Sequence, residues 1–290
     1  MVPNQPSRTA EVVCLFRAVE QRRPPNARIV DDPYAELFLG RGARRWMATW
    51  RTSGRLGDFV ARHSSGLASW VLTRHRFMDD RLVSALDRGV AQVVILGAGY
   101  DTRAYRFHDR LAGRPVFEVD FPATSRRKVE IIAREGDRFP AANVHRVEID
   151  FEVDSLADRL AGAGFESGAG TFFVWEGVSM YLTRQAVQGT LSTVHKLSGP
   201  GSGIVLDLWH LIDTPDLLST ARRASVSFIA LIGEPITFGL HPDDAVPFLE
   251  RLGYEVDEVA DADALAARYV HDGRLLGKAW YVVAAHPRFE

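Results

Sequence analysis

From residue 91 onward, short apolar runs alternate with stretches whose apolar residues recur at helical spacing. The runs are rich in Val, Ile, Phe and Tyr, as is typical of buried strands, and lie at 92–97, 115–120, 144–149, 171–176, 203–208, 254–259 and 279–285. Most are separated by helical patterns, at 122–135, 153–161, 183–197 and 242–252. This alternation predicts βαβ units and hence a doubly wound α/β fold with a mostly parallel, seven-stranded sheet.

The first ninety residues show helical spacing only, with many arginines between the apolar positions. Segments 8–22, 43–50 and 66–88 are predicted helices, and the proline pair at 24–25 interrupts them. We interpret this region as a helical cap followed by the helix that leads into the sheet.

We expect one domain over residues 1–290, with the cap and lead-in helix in 1–90 and the sheet in 91–290. The long connection at about 209–241 interrupts the alternation, and we expect it to form much of a substrate pocket. The link at 260–278 contains the turn signal DGRLLG and would allow the last strand to run antiparallel.

Charge and cysteine content narrow the function classes. Lys and Arg number 35 against 37 Asp and Glu, so the excess of cations that a nucleic-acid binder needs is absent. The chain has one cysteine, Cys14, no paired-cysteine or H-x-x-x-H metal spacing, and no apolar run of bilayer length. We therefore expect a cytoplasmic protein without a membrane, nucleic-acid or metal partner.

A glycine turn follows the first predicted strand, in LGAGYDTR, where Gly97 and Gly99 flank Ala98. Glycines there let the backbone turn sharply and approach a ligand. Asp120 ends the next strand, where a carboxylate can accept both hydroxyls of a ribose. The third position of a dinucleotide fingerprint is Thr102 rather than a small residue, which favours a cofactor without a pyrophosphate.

Two further acids follow strands. Asp150 ends VEID and could meet an adenine amino group, or act as a helix cap or a solvated acid. Glu176 follows FFVW and could hold an ammonium group or lie under a sulfonium. The RRK run at 126–128 is predicted to be a solvated helix face.

These blocks together resemble a known family. VVILGAGYDTRAYRF, VFEVDFP, EID and WEGVSMYLT, in this order, are similar to the leucine carboxyl methyltransferase family of class I S-adenosylmethionine-dependent methyltransferases. The likeness is nearer to the bacterial branch that includes O-methyltransferases of aromatic polyketide pathways. It covers roughly residues 8–286, with DDPYAELFL and GEPITFGLHPDDAVPFLERLGYEV among the similar blocks.

The resemblance implies S-adenosyl-L-methionine as cofactor and S-adenosyl-L-homocysteine as its product. It assigns the methionine part, the ribose and the adenine of the cofactor to Gly97, Ala98, Gly99, Asp120, Phe121, Asp150, Phe151, Glu176 and Gly177. It also implies an arginine that clamps the cofactor carboxylate. TRHR offers Arg74 and Arg76, of which Arg74 is favoured by its distance from the glycine turn.

The acceptor is expected to be a small molecule, either a carboxylate or a phenolic hydroxyl of a secondary metabolite such as a polyketide. A carboxylate is already ionised at pH 7, whereas a phenol is helped by a base; the candidate catalytic residues are His210, His241 and Tyr181. Two other functions stay open, a nucleotide-dependent oxidoreductase and a non-catalytic protein that binds S-adenosylmethionine.

Overall fold

The computed structural model describes residues 7–49, 66–210, 236–274 and 276–289. Within these ranges seven strands form one sheet in the order β3-β2-β1-β4-β5-β7-β6. The strands are β1 Gln92–Leu96, β2 Val116–Asp120, β3 Val144–Glu148, β4 Thr171–Trp175, β5 Gly203–Trp209, β6 Tyr254–Ala260 and β7 Trp280–Pro287. Neighbours among β1 to β5 are parallel, and β7 is antiparallel to both β5 and β6. The predicted fold class is confirmed.

The helices lie close to the predicted segments. They are α1 Arg8–Glu20, α2 Arg41–Thr49, α3 Leu67–Asp87, α4 Arg103–Arg106, α5 His108–Leu111, α6 Pro122–Glu135, α7 Leu156–Gly162, α8 Arg184–Leu197, α9 Pro242–Glu250 and α10 Ala262–Tyr269. Capping side chains explain several of the starts, since Ser7, Thr183 and Asp261 accept hydrogen bonds from backbone amides of α1, α8 and α10. The short helices α4 and α5 were not predicted, because four residues carry too little periodicity.

The inner strands β1, β2, β4, β5 and β7 are buried on both faces, which explains their nearly uninterrupted apolar runs. Val93 and Ile95 of β1 pack on the side of α3, in one hydrophobic cluster. Val94 and Leu96 belong to a second cluster, on the side of α8. Successive residues of a strand point to opposite faces, so most positions of the central strands are apolar, and the buried exceptions Glu118 and Asp207 pair with Lys128 and Arg74.

The prediction that the RRK run at 126–128 is a solvated helix face is wrong for Lys128. Arg126 and Arg127 of α6 are exposed, but Lys128 is buried with its Nζ 2.6 Å from Glu118 Oε2 on β2. The helix turns by about 100° per residue, so the third residue of the run faces the sheet. Burial lowers the pKa of Lys128 to about 8.

Candidate active site

A pocket opens at the carboxyl ends of β1, β2 and β4. It encloses about 770 Å³ of space, part of it open to solvent, and α1 and α3 form its other walls. Nine of the residues singled out in the sequence line it: Arg74, Gly97, Ala98, Gly99, Asp120, Phe151, Glu176, Gly177 and Tyr181. The pocket therefore lies where parallel α/β sheets bind ligands.

The turn after β1 depends on its glycines. Gly97 has φ +68° and Gly99 has φ +41°, a region that favours glycine. A Cβ on Gly97 would lie far inside van der Waals contact with Val178 Cγ2 and 3.2 Å from Val178 Cβ. The turn and the segment after β4 consequently approach closely, and backbone rather than side chain faces the pocket.

Asp120 ties this turn to the end of β2. Its Oδ2 accepts a hydrogen bond from the Gly99 amide at 2.5 Å, and its Oδ1 accepts one from the Phe121 amide at 2.7 Å. Each carboxylate oxygen has further lone-pair capacity. Asp120 can therefore hold the turn in place and still accept hydrogen bonds from a ligand in the pocket.

Of the two candidate arginines, the structure brings Arg74 into the pocket. Its Nε donates to Glu176 Oε1 at 3.1 Å and its Nη1 donates to Asp207 Oδ2 at 2.7 Å. Arg76 lies on the exposed side of α3 and pairs with Asp80. Two positions along a helix differ by about 200°, so only one of the pair can face the sheet.

Glu176 is a charged carboxylate surrounded by cations and donors. Besides Arg74, the Arg103 Nη2 lies 2.7 Å and the His75 Nδ1 lies 2.9 Å from its Oε2. Burial by itself would raise the pKa of Glu176, but His75, Arg103 and Arg74 more than offset it and hold the pKa well below its usual range. The floor of the pocket is thus ionised at neutral pH.

His75 was not predicted as a site residue. It is buried and lines the pocket, and its Nε2 lies 2.8 Å from Arg106 Nη2. A guanidinium can only donate, so Nε2 accepts from Arg106, while Nδ1 lies between Glu176 Oε2 at 2.9 Å and Arg103 Nη2 at 3.0 Å. Burial and the neighbouring Arg103 lower the pKa of His75, in keeping with a neutral imidazole.

A buried charge network extends from this histidine. It joins α1, α3, the turn after β1 and the ends of β4 and β5, and Arg17, Asp32, Asp79, Asp101, Arg103, Arg106 and Asp207 belong to it. With Arg74, Glu176 and Asp120 included, six carboxylates face four guanidinium groups. The buried Lys128 also interacts with Asp101 and Asp120, and burial raises the pKa of Asp207, so the opposite charges around the pocket come close to balance. In the sequence, this network is indicated by Arg103 and Arg106 of YDTRAYR, which lie about one helical turn apart.

We expect His75 to make stability depend on pH near neutrality. The unfolded imidazole takes up a proton near pH 6.5, whereas the folded one resists it, so stability falls as pH drops through about 6.5. We expect urea unfolding at pH 5, 6 and 7.5 to show this loss for the native chain. In His75→Asn the free energy of unfolding should change less steeply with pH, by up to about 1.4 kcal/mol per pH unit. Equal slopes for the two proteins would contradict the neutral assignment.

Besides Arg76, four of the residues singled out in the sequence do not line this pocket: Phe121, Asp150, His210 and His241. His241 caps α9, where its Nδ1 accepts from the Asp243 amide, and it is exposed. His210 packs against Tyr281 and His241, with ring centroids 5.9 and 6.0 Å away. Asp150 Oδ1 accepts from the Glu152 amide at 3.0 Å, a local turn contact. Phe121 precedes α6 as its N-cap.

The expected insert at about 209–241 lies mostly outside the described residues, since 211–235 belong to the undescribed part. Its described ends, Trp209 and Phe238, are buried in the core. No helix in the described ranges has the length and apolar character to span a membrane. Nor do those ranges place three or more His, Cys, Asp or Glu side chains together as a metal would need.

Comparison with protein-family models matches residues 10–195 to the family described as leucine carboxyl methyltransferase. A Saccharopolyspora erythraea protein is 34% identical over 286 residues, covering 96% of this chain and 94% of its own length. A Parafrankia protein is 36% identical over 201 residues, 69% of this chain and 62% of its own length. Both are provisionally named S-adenosyl-L-methionine-dependent methyltransferases. The match thus spans less than two thirds of the second relative.

Among solved structures, a DUF574 family protein from Streptomyces avermitilis superposes with a TM-score of 0.57 at 16% identity. The superposition covers 93% of this chain and all of the other. At this identity the likeness shows a shared fold.

Proposed function

Because the chain belongs to the leucine carboxyl methyltransferase family, we propose that it is an O-methyltransferase of small molecules. The use of S-adenosyl-L-methionine for methyl transfer follows from the family and from the provisional names of the relatives. The proposal adds the acceptor, which is a carboxylate or a phenolic hydroxyl of a secondary metabolite such as a polyketide. The observation that supports it most directly is the pocket at the glycine turn, with Asp120 and Glu176 on its walls.

The residues of the pocket fit the cofactor. A Cβ on Gly97 would collide with Val178, and one on Gly99 would lie 3.3 Å from Ala10. The turn therefore needs glycines, and its backbone atoms are available to contact the ligand. The ionised Glu176 on the pocket floor suits a ligand that carries a sulfonium and an ammonium charge. When bound, S-adenosyl-L-methionine supplies an electrophilic methyl group. Arg74, Gly97–Gly99, Asp120 and Glu176 are the residues that would hold it.

In the proposed mechanism the protein orients its ligands and excludes water. Asp120 accepts hydrogen bonds from ribose hydroxyls, and the ionised Glu176 attracts positive charge to the pocket floor. Thr9, Ala10 and Val13 of α1 cover the pocket from the side opposite the sheet. Tyr181 lines the same pocket, which supports a contact between its side chain and the acceptor. His210 and His241 lie outside this lining, and the mechanism assigns them no role.

We expect Asp120→Ala to weaken S-adenosyl-L-homocysteine binding at least tenfold, since ribose hydroxyls lose their acceptor and the turn loses two backbone contacts. Calorimetric titration measures the affinity. Asp109→Ala is the matched control, because Asp109 is fully exposed, and it should bind as the native chain does. Unchanged affinity in Asp120→Ala would remove the ribose assignment.

Methyl transfer tests the function directly. Purified protein is incubated with methyl-labelled S-adenosyl-L-methionine and a small-metabolite extract, and the labelled product is then treated with mild alkali. Label released as methanol identifies a methyl ester and a carboxylate acceptor, and label that survives identifies an ether. Cofactor binding with no transfer to any acceptor would favour a non-catalytic binding protein. Binding of a nicotinamide dinucleotide instead would favour an oxidoreductase.

A further inference from the structure

Asp207 of β5 is a buried carboxylate that contacts residues of the pocket wall. It is the one charged residue in this strand, GIVLDLW, and its side chain is fully buried. Burying a carboxylate costs free energy unless nearby donors compensate for it. The contacts of Asp207 therefore indicate what the acid contributes.

Two donors from different elements bind this carboxylate. Its Oδ2 accepts from Arg74 Nη1 of α3 at 2.7 Å, and its Oδ1 accepts from the Gly177 amide, just after β4, at 2.6 Å. Both donors belong to residues that line the pocket. The Ser179 hydroxyl also donates to the backbone carbonyl of Asp207 at 2.8 Å. Asp207 thus joins β5 to α3 and to the segment after β4.

These contacts fix the orientation of the Arg74 guanidinium. Its Nε donates to Glu176 and its Nη1 donates to Asp207. The guanidinium also lies against the Gly177 backbone, since a Cβ on Gly177 would be 3.3 Å from Nη2 and 3.5 Å from Nη1. Nη2 takes part in neither carboxylate bond, and its N–H groups can only donate. It is therefore the atom with which Arg74 can bind an anionic group in the pocket.

An oriented guanidinium matters for one end of the cofactor. The adenosine part of S-adenosyl-L-methionine is uncharged at neutral pH, whereas its amino-acid end carries a carboxylate and an ammonium group. Charge-assisted hydrogen bonds between arginine and a carboxylate depend on the alignment of the planar guanidinium. A long side chain that loses one of its contacts gains rotamers. Loss of Asp207 should therefore affect the amino-acid end of a ligand far more than its adenosine end.

We propose that Asp207 is a positioning residue for the amino-acid end of the cofactor, because it aligns Arg74 with the ligand carboxylate and holds the Gly177 amide in the pocket wall. The proposal rests on the proposed function, in which Arg74 helps to hold S-adenosyl-L-methionine. Asp207 acts through these two groups, and its own carboxylate touches no ligand. The expected signature is a loss of affinity that is confined to ligands with an amino-acid end.

Two ligands that differ only at this end test the proposal. S-adenosyl-L-homocysteine and methylthioadenosine share the adenosine thioether, but a methyl group replaces the amino acid in the second. In Asp207→Asn the side-chain amide can accept from one donor but turns its N–H groups towards the other. We expect calorimetric titration to show at least tenfold weaker binding of S-adenosyl-L-homocysteine and a change of no more than about twofold for methylthioadenosine. Equal weakening of the two, or native affinity for both, would overturn the proposal.

A double-mutant cycle with Arg74 provides a second readout. Arg74→Met removes the guanidinium through which Asp207 acts. Adding Asp207→Asn to this variant should therefore weaken S-adenosyl-L-homocysteine binding by less than about threefold further. A further loss as large as the one in the native background would show that Asp207 acts independently of Arg74, which contradicts the proposal.

Glu20→Gln is the matched control. Glu20 of α1 is also buried, its Oε1 accepts from the Ile29 amide at 2.8 Å, and its Oε2 accepts from Arg274 Nη1 at 3.0 Å. It thus has the same kinds of donor as Asp207 but lies outside the described lining of the pocket. Thermal melting should show that both variants are destabilised, whereas the relative affinity for the two ligands should change in Asp207→Asn alone. The same change in Glu20→Gln would make the effect unspecific and overturn the proposal.

Asp207→Glu extends the test to a variant that keeps the charge. It displaces the carboxylate by one methylene, and it should show the same selective loss even where Asp207→Asn does not fold. If the native protein binds neither ligand, the proposed function itself is contradicted. If the native protein binds both and neither Asp207 variant distinguishes them, only the positioning role is contradicted.

Discussion

Replacing Glu176 by glutamine will lower the free energy of unfolding by about 3 kcal/mol or more and weaken S-adenosyl-L-homocysteine binding at least a hundredfold. The carboxylate lies between Arg74, Arg103 and His75 and is largely buried. Removing one partner of a buried ion pair leaves the others charged and uncompensated, which typically costs about 3–5 kcal/mol. Binding falls as well, because the negative charge on the pocket floor is lost and the two arginines reorient.

Urea unfolding and calorimetric titration measure the two effects. Asp80→Asn is the matched control, since Asp80 pairs with Arg76 of the same helix at half-exposed positions. Exposed pairs contribute about 0–1 kcal/mol, so this variant should be nearly native in both measurements. If Glu176→Gln behaves like Asp80→Asn, the buried network does not support the pocket.

Gly97→Ala is expected to abolish detectable cofactor binding and to destabilise the fold by about 2–5 kcal/mol. The left-handed backbone accounts for about 1–2 kcal/mol. Overpacking against Val178 accounts for about 1–3 kcal/mol, because the new Cβ would overlap that side chain. Relief of the overlap displaces the turn that forms one wall of the pocket.

Gly89→Ala separates these contributions. Gly89 has φ +88° and open space around its Cβ position, so only the backbone cost applies and cofactor affinity should be native. Adding Val178→Ala to Gly97→Ala should restore part of the stability and of the binding. Equal destabilisation by Gly97→Ala and Gly89→Ala, with native binding in both, would show that the close approach is unimportant.

The sequence predicted the sheet well because its central strands are buried on both faces and therefore appear as continuous apolar runs. β1 illustrates this, with Val93 to Leu96 divided between the two cores. The antiparallel β7 was anticipated only as an option, since strand direction depends on the path of the connection at 260–278. That link contains the helix α10, and β7 after it runs antiparallel to β6 and β5.

Part of the candidate site also followed from the sequence. Gly97, Asp120 and Glu176 each come at or directly after the end of a parallel strand, and such ends meet at one edge of a sheet. Their position in a common pocket could thus be inferred without coordinates. Asp150 also follows the end of a strand, but its carboxylate accepts a hydrogen bond from the Glu152 amide within a local turn. The order of the strands does not determine this contact.

The α/β architecture, the glycine turn with its following acids and the family could be inferred from the sequence, because they depend on local periodicity and on the order of short motifs. The choice between Arg74 and Arg76, the burial of Lys128 and the contacts of His75 with Glu176 and Arg106 became visible only in the folded chain. Those facts depend on how each helix is rotated about its axis and on contacts between residues 10 to 133 positions apart. Local pattern carries no record of such pairings, because the partners meet only when the helices pack on the sheet.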